Sequence, residues 1–134
     1  MVASKYSFVG GFSGTSNVYA SFLNGIPCLG TQAHSFIMSF EKEEDCAESR
    51  ILDGVDILAK ALEYREKLGW TETVLAELYA FVSFAVAYPD AFGALVDSYS
   101  SMKSGVPNFI LIALVLNDLG RSAKNIRLDS GDMA

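Results

Sequence analysis

Gly25-Ile-Pro-Cys-Leu-Gly-Thr-Gln-Ala-His-Ser-Phe36 reads as a short buried strand, Ile26 to Leu29, running straight into a polar turn with Thr31, Gln32, His34 and Ser35. In parallel α/β sheets, side chains just past the carboxyl ends of strands face the ligand site. His34 is the single histidine in 134 residues. Imidazole is the one side chain whose ordinary pKa lies near neutrality. His34 thus stands where such folds place their chemistry; a packed or capping histidine is the plain alternative.

Working outward, Gly14-Thr-Ser-Asn17 opens a helix with Thr15 or Ser16 as cap, and Asn24-Gly25 closes it. Upstream, Ser7-Phe8-Val9 is compatible with a strand. Downstream, Glu41 to Asp45 is a charge run that reads as a solvated loop. Ile51, Val55, Leu58, Ala59 and Leu62 keep helical spacing, which predicts a helix from Ile51 to Leu68 stopped by Gly69. Thr71 caps a second helix that ends at Tyr88-Pro89. Ala94-Leu95-Val96 reads as a buried strand ending in Asp97-Ser-Tyr-Ser100. Asn108 to Leu119 reads as an apolar helix, and Lys124 to Leu128 as a third strand ending in Asp129-Ser-Gly-Asp132. Apolar strands alternating with helices predict parallel pairing and an α/β class. Three strands do not close a barrel, so the expected architecture is an arc of a larger (β/α) barrel.

Composition excludes several classes. A net charge of −6 without any Lys/Arg cluster argues against nucleic-acid binding. Hydrophobic residues make up 51%, yet no apolar run reaches the roughly 18 residues of a membrane span. Cys28 and Cys46 lie too far apart for a CxxC pair, and Cys28 reads as a small buried hydrophobe. The amino terminus lacks a signal-peptide pattern, which makes the cytoplasm the expected compartment. There is no GxxxxGK[ST] loop and no GxGxxG, and Ser13 misses a GxSxG elbow by one position.

Three strand ends carry polar clusters: Thr31/His34/Ser35, Asp97/Ser98/Tyr99 and Arg127/Asp129/Ser130/Asp132. His34 and Asp97 are 63 residues apart, and Asp97 and Asp129 are 32 apart. A strand–helix–strand unit takes roughly 30 residues. The clusters are therefore expected to line one mouth, the first gap holding an insertion. There they would gather a nucleophile or base (His34), a carboxylate able to orient it (Asp97), a cation (Arg127) and acids for sugar hydroxyls or Mg²⁺ (Asp129, Asp132). The plain alternatives are a turn cap for Asp97, a surface ion pair for Arg127 and an ordinary turn for 129–132.

Gly-Thr-Ser-Asn-Val (14–18), the 25–36 stretch, Asp-Ser-Tyr-Ser (97–100), Gly-Val-Pro-Asn-Phe (105–109) and Ile-Arg-Leu-Asp-Ser-Gly-Asp (126–132) together resemble the nicotinate phosphoribosyltransferase family, in collinear order. The resemblance implies a type II phosphoribosyltransferase fold, an incomplete α/β barrel with a second domain, working as a head-to-tail homodimer. It implies conversion of nicotinate and phosphoribosyl pyrophosphate to nicotinate mononucleotide and pyrophosphate, coupled to hydrolysis of ATP with Mg²⁺. Carried over by position, His34 resembles the histidine that ATP phosphorylates and Asp97 its carboxylate partner. Thr31 and Arg127 resemble nicotinate contacts, Asp129 a phosphoribosyl or Mg²⁺-linked acid, and Ser35 and Ser16 further substrate-site positions. The nicotinamide-using relative resembles Gly-Thr-Asp where Ser16 stands. The resemblance also implies that an aromatic and an arginine of the base pocket, and a glycine-rich phosphate loop, lie outside residues 1–134. The chain then reads as an incomplete segment of the barrel domain. The rival reading is a product that acts only by associating with full-length subunits.

Overall fold

The computed structural model describes residues 2–130, which fall into two compact units divided between Thr31 and Gln32. In the first unit, helix α1 spans Val2–Val9, so Ser7-Phe8-Val9 is helical and not a strand. Helix α2 spans Val18–Asn24. Its cap is Asn17, whose side-chain oxygen accepts the Ala20 N–H at 2.9 Å, and Gly25 ends it at φ 62°. Thr15 instead takes the Asn17 N–H on its hydroxyl at 3.1 Å. The strand expected at 26–29 is reduced to one parallel bridge between Thr15 and Cys28. Thr15 N–H donates to Pro27 O at 2.9 Å, and Leu29 N–H donates to Thr15 O at 3.0 Å. Pro27 has no N–H to extend the ladder. Cys28 is exposed, which corrects its expected burial.

The second unit begins with the short helix α3, His34–Ile37. The charge run then coils into a 3₁₀ helix, Glu43–Ser49, because Asp45 accepts the N–H groups of Glu41 (2.8 Å) and Lys42 (3.0 Å). Next comes a small antiparallel hairpin, β1 (Ile51–Leu52) and β2 (Val55–Asp56). Its two turn residues, Asp53 and Gly54, both have positive φ (51° and 78°). That pattern belongs to type I′ turns and favours Asp-Gly. The helix expected from Ile51 therefore starts later, as α4 (Ile57–Leu68), with Asp56 as its cap. Helix α5 spans Leu75–Ala87; the predicted Thr71 start is displaced because Trp70–Val74 form a loop.

Strand β3 (Gly93–Leu95) is buried throughout and pairs in parallel with β4 (Asn125–Arg127), Leu95 opposite Arg127. A five-residue π-helical turn, Ser101–Gly105, and helix α6 (Val106–Asp118) connect them. This strand–helix–strand unit is the parallel pairing the sequence predicts. Two of the three expected strands form here, and the third is the single bridge at Cys28. Leu58, Leu78, Phe81, Phe92, Leu111 and Leu116, each at most 1% exposed, form the centre of this unit's core. Burying side chains of this size stabilises by roughly 1.5–3 kcal/mol apiece. Phe92, just before β3, packs its ring against Phe81 of α5 at 6.4 Å and Phe109 of α6 at 5.6 Å, which ties the strand's start to both helices.

Candidate active site

Asp97 is the hub of the second unit's polar strand ends. It lies two residues past the end of β3, and its side chain is only 5% exposed. One carboxylate oxygen, Oδ1, lies 3.1 Å from His34 Nε2. The other, Oδ2, accepts the Asp129 N–H at 2.8 Å and the Ser130 hydroxyl at 2.6 Å. Parallel pairing makes this possible: β3 and β4 end side by side, so the chain after Arg127 passes over the end of β3. Burial pushes the Asp97 pKa up. The Ser130, Asp129 and His34 hydrogen bonds outweigh it and bring the group down from 3.8 to about 2. The carboxylate is therefore ionised at neutral pH.

An ionised carboxylate has no proton to give, so the His34–Asp97 contact requires the hydrogen on Nε2. When the ring is neutral, that leaves the lone pair on Nδ1. The His34 side chain is 37% exposed, in contrast to its partner. The pair thus has a buried anionic end and an open nucleophilic nitrogen. This arrangement suits attack on an electrophile, with the anion stabilising the imidazolium that forms.

The expected cluster is gathered in part. His34, Asp97 and the Asp129 region meet across separations of 63 and 32 residues. Asp129 takes part through its backbone N–H; its carboxylate turns to Arg127, accepting from Nη2 at 2.6 Å and Nε at 3.1 Å. Both side chains of that ion pair are about 40% exposed. Ser35 follows His34 in α3. Ser16 and Thr31 belong to the first unit. Asp132 lies outside the described residues. The sequence assigns Ser130 no role of its own within the Arg127–Asp132 cluster; its cue is a hydroxyl just past a strand end, one residue beyond an Asp.

No family model matches the chain. Individual relatives do. A nicotinate phosphoribosyltransferase of Dictyostelium discoideum is 47% identical over the whole chain, which spans 23% of that protein. The Homo sapiens nicotinate phosphoribosyltransferase is 43% identical over 99% of the chain and 27% of its own length. The crystal structure of human nicotinic acid phosphoribosyltransferase superposes with a TM-score of 0.83 at 43% identity, covering 96% of this chain and 28% of that one. The chain spans about a quarter of the length of the relatives it matches. By sequence along its whole length and by fold, the chain is a relative of the nicotinate phosphoribosyltransferases, corresponding to one segment of those enzymes.

Proposed function

We propose that this chain carries the phosphohistidine portion of a cytoplasmic NAD-salvage enzyme. The enzyme would join nicotinate to the ribosyl carbon of phosphoribosyl pyrophosphate, release pyrophosphate and couple this to ATP hydrolysis. Its β3–α6–β4 unit would be part of a type II phosphoribosyltransferase barrel, and the enzyme would work as a homodimer. The observation that carries the reading is the His34–Asp97 pair, with Asp97 ionised, buried and held by three donors.

The ATP step follows from that pair. Nδ1 of His34 attacks the terminal phosphorus of ATP, the N–P bond forms, and the bond to the ADP oxygen breaks. The imidazole gains positive charge in this step, and Asp97 stabilises it through the Nε2 proton. Water later cleaves the N–P bond and restores the neutral ring. Arg127 is suited to the nicotinate carboxylate because its present partner costs little to give up. An exposed ion pair such as Arg127–Asp129 is worth about 0–1 kcal/mol. A substrate carboxylate shielded from water can replace it with a stronger charge-assisted contact. Magnesium belongs to this reading as the phosphates' counter-ion. Among the described residues no three His, Cys, Asp or Glu side chains gather as a metal cage, and no step above runs through a metal.

The test is His34→Ala in a full-length subunit containing this segment. We expect no acid-labile phosphate after incubation with ATP, and slow transfer from phosphoribosyl pyrophosphate that no longer responds to ATP. A His34→Ala enzyme that still hydrolyses ATP in step with product formation would overturn the assignment.

A further inference from the structure

Behind the strand ends lies a second polar cluster that the reaction above does not use. Glu77, on α5, is completely buried. Its Oε2 accepts from the Ser104 hydroxyl at 2.5 Å and from Asn108 Nδ2 at 3.0 Å. Ser104 Oγ in turn accepts the Val74 N–H at 2.9 Å, and Asn108 Nδ2 also donates to Val74 O at 3.0 Å. Ser104 and Asn108 are 2% and 0% exposed. No cation is bonded to this carboxyl among the described residues, and its Oε1 has no hydrogen-bond partner there. Burial pushes the Glu77 pKa up against the lowering by Ser104 and Asn108, which favours a neutral acid. A carboxyl in such a place costs stability that a Leu or Met would not. Its position suggests what that cost supports.

Ser104 belongs to the π-helical turn Ser101–Gly105, and π-turns are frequent where local geometry serves a site. The next residue, Gly105, lies so close to the end of β3 that a Cβ there would overlap the Val96 carbonyl. Val96 immediately precedes Asp97. The same turn is tied to the strand-end loop by Ser104 N–H and Gly105 N–H, both donating to Ser100 O at 2.8 and 3.0 Å. A contiguous path therefore runs from Glu77 through Ser104 and Gly105 to Val96 and Asp97.

We propose that Glu77 is a positioning residue for the His34–Asp97 pair: by gripping Ser104 it seats the π-turn against Val96 and so fixes the Asp97 carboxylate under the imidazole. The proposal rests on the reading of that pair as the working one, but its test reads the pair's geometry and not turnover. Because His34 is the only histidine, its two ring nitrogens give a single pair of ¹⁵N resonances in the full chain. With Asp97 in place, these should be the shifts of a fixed Nε2–H tautomer. Asp97→Ala supplies the shifts of a ring released from it.

We expect Glu77→Ala to move both resonances more than halfway towards the Asp97→Ala values. Glu77→Gln keeps an acceptor for Ser104 and Asn108 in the same volume and should keep the wild-type shifts. A folded Glu77→Ala chain with wild-type His34 shifts would overturn the proposal, as would Glu77→Gln moving them as far as Ala. Should Glu77→Ala not fold, Ser104→Ala cuts the same path with a smaller change. It should move the resonances likewise, and wild-type shifts in that variant would overturn the proposal. A chain that gains no phosphate from ATP yet keeps the tautomer coupling would sink the catalytic reading and leave this one standing.

Discussion

At the scale of residues, His34 was legible because its type is rare in this chain and because it follows an apolar run. Asp97 was legible as the acid that ends a buried strand. What could not be read is that Asp129 contributes its N–H and turns its carboxylate to Arg127. Two adjacent polar groups on one residue are equivalent in a sequence, and only the strand register chooses between them. The Arg127–Asp129 pair carries a prediction for a full-length subunit. Arg127→Ala should weaken nicotinate binding by one to two decades while leaving nucleotide binding nearly unchanged, since a lost charge-assisted contact costs about 1.5–3 kcal/mol. Isothermal titration with each ligand decides; equal losses would place Arg127 outside the base pocket. Ser16 offers the converse experiment. If Ser16 faces the substrate as the family resemblance implies, an Asp there confronts a carboxylate with like charge and tolerates an amide, and Ser16→Asp should lower the nicotinate-to-nicotinamide ratio of kcat/KM. An unchanged ratio would remove Ser16 from specificity.

Among elements, β3 and the helix after it were readable, because a buried parallel strand is a continuous apolar run bounded by turn residues. Its partner β4, Asn-Ile-Arg, is largely exposed and carries no such run. The start of α4 was not readable either. Ile51 and Val55 fit a helical stripe, but the Asp53-Gly54 turn between them closes a hairpin, and turn chemistry overrides periodicity there. The same fold-back makes Asp56 the true cap. Its Oδ1 accepts the Ala59 N–H at 3.0 Å, and its Oδ2 accepts Arg50 Nε at 2.8 Å and Arg50 Nη2 as well. Arg50 reaches on to Glu43 at 2.6 Å, joining the 3₁₀ helix to the cap. Replacing Asp56 by Ala should therefore destabilise the chain by about 0.5–2 kcal/mol, the range of a lost N-cap. Urea unfolding followed by helix circular dichroism checks it. A change below about 0.3 kcal/mol would mean that the capping bond adds nothing beyond water at that helix end.

For the whole molecule, composition foretold an apolar excess, and it is divided unevenly. The second unit holds the large core, while on α2 of the first unit Val18, Tyr19 and Phe22 are 71%, 62% and 83% exposed. The burial of Glu77 is the feature no pattern announced, since it sits among apolar residues as any helix glutamate does. Glu77 and Asp97 both contribute to the pH response of the folded state. Asp97 has a folded pKa of about 2 against an ordinary 3.8. The unfolded chain thus binds its proton first, and the stability Asp97 contributes is complete above about pH 4 and lost as pH falls towards 2. Glu77 has the opposite sign, because burial raises its folded pKa above the ordinary 4.5. Above 4.5 the unfolded chain releases a proton that the folded chain retains, and stability falls as pH rises until the folded pKa is passed. Glu77→Gln, which never titrates, lacks that second limb. The difference in Tm between Glu77→Gln and the parent should grow in favour of the variant as pH rises above about 4.5. Asp97→Asn should instead flatten the loss between pH 4 and 2. Melting curves at half-unit pH steps measure both. A Glu77→Gln advantage independent of pH would show that folding does not raise the Glu77 pKa, because only a proton held by the folded state and released by the unfolded one gives this slope.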